Sequence, residues 1–96
     1  MIRYLGILER DPGSLWGIWF PDLPGCATAG ETADIALDRA PDVLRLWIED
    51  AQTENEALPR ARSIEDLKQD AEVREALSAG HAVIVVQIPE FEAMAG

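Results

Sequence analysis

One histidine, one cysteine and three tryptophans are the side chains of this 96-residue chain best suited to chemistry, and their spacing supplies little of it. His81 stands beside Gly80 at the mouth of an apolar run and is read as a strand-edge histidine. Together with Cys26 it cannot furnish the ligands of a zinc site, and the carboxylates lack calcium-loop spacing, so no metal is expected. Gly13, Gly17, Gly25, Gly30 and Gly80 match neither a dinucleotide fingerprint nor a P-loop, so no cofactor is expected. The tryptophans suit ring stacking or a protein contact. Trp47 falls on a helical apolar stripe and belongs to the core. Trp16 and Trp19, three apart on a strand, face opposite sides of a sheet. One is expected against the helices and the other on an uncovered face, as an interface anchor.

The elements that position these residues follow from the hydropathy pattern. Ile2 to Arg10 is β-prone, Asp11-Pro12-Gly13-Ser14 is a turn, and Leu15 to Phe20 resumes as an aromatic strand, so the pair reads as an antiparallel hairpin. Pro21 and Pro24 then bracket Asp22-Leu23 into a rigid corner, with Gly25 free to adopt the backbone angles of its exit. Cys26 to Ala29 closes a three-strand meander. From Thr32, the expected N-cap, the period becomes helical, with Ala36, Ala40, Val43, Leu44, Trp47, Ile48 and Ala51 on one stripe. Pro41 predicts a kink there, or a helix that starts late. Asn55 to Arg62 is a polar link, and Ser63 opens a second helix that Gly80 ends. Ala82 to Ile88, apolar and β-branched, reads as a last strand covered on much of both faces or lying centrally in its sheet, and Pro89 terminates it.

The predicted fold is α+β, in the order β-β-β-α-α-β. A helical crossover predicts a fourth strand parallel to the first, giving the sheet order 3-2-1-4 with the helices on one face. The domain is expected over residues 1–89, with 90–96 a tail. The free edge of strand three and an exposed sheet face predict self-association as a dimer or tetramer. The meander followed by a helix resembles ribonuclease H, whose carboxylates hold magnesium. Only Glu9, Asp11, Asp34 and Asp38 stand in comparable places, which chance supplies in a chain with 18 acids.

Composition narrows the function classes further. Apolar residues make up 48% and charged residues 27% of the chain, a mix that folds. No apolar run approaches the ~20 residues of a membrane span, no signal peptide is seen, and a lone cysteine suits a reducing compartment. The cytoplasm is the expected location. The net charge of −10 opposes direct binding to a phosphate backbone and favours a basic partner. Residues 31–56 alone carry a net charge of −6. The contact residues expected from this reading are Asp42, Glu49 and Asp50 on the long helix, Asp22 at the corner, and Trp16 and Trp19.

Three segments together resemble HicB-like antitoxins of bacterial toxin-antitoxin pairs. They are Tyr4-Leu5-Gly6-Ile7-Leu8-Glu9, the run from Trp16 through Phe20-Pro21-Asp22-Leu23-Pro24-Gly25-Cys26 to Thr32, and Leu44 to Asp50 following Ala36-Leu37. Leu58-Pro59 before a Ser63-led helix and the valine-rich last strand extend the likeness over residues 2–89. The resemblance implies a truncated ribonuclease H-like fold without nuclease activity. It also implies a non-catalytic antitoxin whose partner is a small basic HicA-type toxin that cleaves mRNA. Many relatives carry a C-terminal DNA-binding module, and none is expected within this chain. An orphan domain of the same fold, self-associating and serving as an adaptor or ligand-binding module, is the alternative.

Overall fold

Tyr4-Leu5-Gly6-Ile7-Leu8 places apolar side chains on both faces of one strand, and the architecture follows from covering both. The computed structural model describes residues 1–90. Strands β1 (Ile2–Arg10), β2 (Trp16–Trp19) and β3 (Ala27–Gly30) form the expected meander, and α1 (Ala33–Thr53) follows. Two short helices, α2 (Ile64–Leu67) and α3 (Ala71–Ser78), lead into β4 (Ala82–Ile88). The sheet order is β3-β2-β1-β4, as predicted.

Two features of the predicted topology are corrected. Strand β4 pairs antiparallel with β1, from Ile2 opposite Ile88 to Leu8 opposite Ala82. The helices also lie on both faces. α1 buries Ala36, Ala40, Leu44 and Ile48 against Tyr4, Ile18, Phe20 and Val86. On the other side Leu67, Val73 and Ala76 pack on Leu5 and Ile7. The two corrections share one cause. A single helical crossover would return the chain to the start of a parallel strand, but α2 and α3 make a second passage on the opposite face. The chain therefore reaches β4 at the end of the sheet where β1 finishes.

The expected second helix is also two helices. Asp70 accepts hydrogen bonds from the amides of Glu72 and Val73, so its carboxylate caps a new helix where the pattern suggested continuation. Thr32 caps α1 through the Ile35 amide at 3.1 Å, as expected. Pro41 lies inside α1, which starts at Ala33 and runs without interruption to Thr53. The missing amide would have bonded to Leu37, whose side chain is exposed, so water can reach the outward side of that turn. Strand β4 is an edge strand and its Val85, on the Leu5 face, is 53% exposed, a correction to the expectation of a strand covered on much of both faces or lying centrally in its sheet. Among the described residues no helix is long and apolar enough to cross a membrane. The expected tail lies, past Glu90, outside the described residues.

Strand β3 is made of small residues because its neighbour is aromatic. Trp16 stands opposite Gly30 and Trp19 opposite Ala27. Gly30 also admits the first turn of α1: a Cβ there would lie 2.7 Å from both the Ala36 amide nitrogen and Ile35 Cγ2. At Gly17 the nearest atoms to such a Cβ are 3.9 and 4.0 Å away, an ordinary contact. Gly30→Ala is thus expected to destabilise the fold by about 1–3 kcal/mol, the scale of overpacking. Gly17→Ala is expected to lie well below that, and chemical denaturation of the two variants measures the difference.

Candidate protein-binding surface

The proline-bracketed corner is the first piece of the surface, and buried side chains hold it from beneath. The Leu23 amide donates to the Phe20 carbonyl at 3.0 Å, the Cys26 amide to Leu23 at 3.0 Å, and the Phe20 amide to Cys26 at 3.2 Å. Phe20, Leu23 and Cys26 are buried, and Gly25 takes a positive φ of 81° that a side chain would oppose. From α1, the Trp47 indole N–H donates to the Pro24 carbonyl at 3.0 Å. Burial pushes the Cys26 thiol up to about 11, which leaves it protonated and a poor nucleophile at neutral pH.

Asp22 faces inward from this corner. Its side chain is only 6% exposed, with Arg62 Nε donating to Oδ1 at 2.6 Å and the Arg62 amide to Oδ2 at 2.8 Å. Both carboxylate oxygens are therefore engaged within the chain. The same guanidinium reaches Asp70 through Nη1 at 3.3 Å, while Asp70 Oδ1 caps α3. Corner, link and helix start are thus joined by one arginine, whose proton affinity rises chiefly through its hydrogen bond to Asp22. Tyr4 adds a second tie, donating its hydroxyl proton to the Pro59 carbonyl. Burial, followed by the Asp22 charge, raises its pKa. The sequence reading missed Arg62, since nothing local marks an arginine that bonds 40 residues away.

The other expected contact residues separate into distinct places. Trp16 and Trp19 do face opposite sides, but both sides are covered, so each ring is half-buried and neither lies on a bare face. The Arg10 guanidinium sits 5.6 Å from the Trp16 ring centroid. Trp19 contributes to an open groove of about 500 Å³ with Glu9, Asp11, Glu72, Glu75 and His81. His81 Nε2 lies 3.9 Å from Glu9 Oε2. On α1, Asp42 and Asp50 are exposed and Glu49 is half-buried. Their spacing gathers them on one helix face around Leu46, which is 63% exposed. Glu9 belongs to the α3 side of the sheet, whereas Asp34 and Asp38 stand on α1 in the opposite layer. These acids do not converge as a ribonuclease H site requires, and the described residues hold no metal-sized group of three ligands.

The family model described as HicB-like antitoxin of bacterial toxin-antitoxin system matches residues 4–94. A UPF0150 protein of Thermoplasma acidophilum is 34% identical over 59 residues, covering 62% of this chain and 86% of that protein. The crystal structure of the Burkholderia pseudomallei antitoxin HicB is similar over 92% of this chain, with a TM-score of 0.73 and 25% identity. The chain spans 64% of that antitoxin's length. Its N-terminal domain alone is matched over its full length, 100%, with a TM-score of 0.72 and 23% identity. A HicA3–HicB3 toxin-antitoxin complex contributes a third likeness, with a TM-score of 0.71 at 22% identity, covering 93% of this chain and 100% of that one.

The Arg62 junction generates a pH dependence whose sign is fixed. Hydrogen bonds from the Val73 amide, then Arg62 and the Glu72 amide, hold the Asp70 carboxyl below its ordinary 3.8 against the cost of its burial. The folded chain therefore binds fewer protons here than the unfolded one. Its contribution is complete above the ordinary value and is lost as pH falls through the folded value. Asp70→Asn is expected to flatten the acid limb of stability below pH ~4, as read by denaturation across pH. Arg62→Ala leaves the buried Asp22 carboxylate without its partner and is expected to cost about 2–3 kcal/mol at neutral pH by the same measurement.

Proposed function

The chain belongs to the HicB-like antitoxin family, and from that premise we propose that it is a non-catalytic antitoxin that binds and masks a small, basic, mRNA-cleaving HicA-type toxin in the cytoplasm. A truncated ribonuclease H-like scaffold used for binding is part of the same reading. Its support is the dispersal of Glu9, Asp11, Asp34 and Asp38 over two layers and a buried, protonated thiol.

The observation that carries the proposal is the outward face of α1. Leu46, 63% exposed, stands among Asp42, Glu49 and Asp50 on a chain of net charge −10. An exposed apolar side chain flanked by three carboxylates suits the aliphatic stem and charged head of a lysine or arginine. Opposite potentials also speed encounter and set orientation. Asp22, committed to Arg62, lies outside this surface, and the Trp19 groove on the far side of the sheet is the competing one.

Co-expression with a HicA-type toxin is expected to yield a co-purifying complex and to restore cell growth; failure of both refutes the reading. Glu49→Lys combined with Asp50→Lys is expected to slow association by about tenfold at low salt and to flatten its salt dependence. If Glu72→Lys with Glu75→Lys does this instead, the toxin sits in the Trp19 groove.

A further inference from the structure

We infer that β4 is an interface for a second copy of this chain, the two strands pairing antiparallel across a two-fold axis at Val85 to make one continuous eight-stranded sheet. The inference rests on the sheet edges and is independent of the antitoxin reading.

Exposed strand edges invite pairing, and folded proteins ordinarily blunt them with charge, proline, a bulge or shortness. Strand β3 is blunted. It runs four residues, and Arg39 Nη1 occupies the Ala29 carbonyl at 2.7 Å. Strand β4 carries none of these devices along its seven residues, and Pro89 stands only after its end. Between Glu75 and Glu90 the sequence contains no acidic residue, no lysine and no arginine, with His81 the single titratable side chain. The expected free edge at strand three thus gives way to the opposite edge of the sheet.

A second copy suits this edge better than any charged partner. In a chain of net charge −10, most surfaces of one copy repel those of another, and this neutral strand is where two can meet without that penalty. A basic partner would find no carboxylate along it. A closed dimer requires self-complementarity, which the sequence of β4 provides. A two-fold axis at Val85 places Val85 against its own copy, Ile84 opposite Val86, Val83 opposite Gln87 and Ala82 opposite Ile88. Every pair is neutral and most are β-branched, the side chains that gain most from cross-strand packing. Val85, at the centre, is 53% exposed in the single chain.

Sedimentation equilibrium on the full chain, without toxin, tests this. The wild type is expected at twice its 10.5 kDa mass. Val85→Lys, which sets two ammonium groups face to face, is expected to raise the dimer dissociation constant by about a hundredfold with unchanged far-ultraviolet circular dichroism. Val85→Thr is expected to retain the dimer. Gln87→Lys, at a second exposed position on the strand, is expected to weaken it as well and guards against a folding defect at position 85. A monomeric wild type overturns the inference, as does a Val85→Lys dimer as tight as the wild type. So does an Ala27→Lys variant on β3 that separates the dimer where Val85→Lys does not.

Discussion

Burial of β1 on both faces is the constraint from which the rest of the structure follows. Tyr4 faces α1, while Leu5 and Ile7 face α2 and α3. Apolar area on two sides of one strand is stabilised only if both sides are covered, and in so short a chain one helix covers one of them. The link after α1 must therefore carry the backbone past the end of the sheet and back along the other face. That route fixes the direction of β4, and it gives the Arg62 junction its place: the corner, the link and the start of α3 meet where the chain changes sides.

Much of this was legible in the sequence and some was not, for physical reasons. The strand β1, the N-cap at Thr32 and the stripe Ala36, Ala40, Leu44, Ile48 and Ala51 announce themselves because local period and capping chemistry decide them. The order of the first three strands also followed from hairpin connectivity. The two-sided cover was written in Leu5 and Ile7 beside Tyr4 and Leu8, but an apolar run is ambiguous between two covered faces and one generous one. Asp70 carried a readable capping signal, two residues before Glu72 and three before Val73, that the stronger helical pattern around it obscured. For the binding surface, Asp42, Glu49 and Asp50 could be placed on one helix face by spacing alone. The inward turn of Asp22 could not, because it depends on an arginine brought there by the whole fold.

Charge is distributed to match these roles. Where a carboxylate is buried, at Asp22, a guanidinium accompanies it, so the acid serves geometry and adds little to the outward field. Where carboxylates face solvent, on α1 and around Trp19, they are grouped and flank an apolar side chain. Strand β4 separates itself from both by carrying no charge. One small acidic chain thereby offers surfaces of different character, two that attract cations and one indifferent to them.

The buried thiol of Cys26 has a consequence for how the corner itself can be observed. It lies beneath Pro21–Gly25, its Sγ 3.8 Å from the Val43 carbonyl oxygen, and it is the chain's single cysteine. A reagent meets it only when the corner lifts from α1, so the rate of thiol labelling measures the free energy of that local opening. The chain thus carries a built-in clock for the segment that most clearly marks its family.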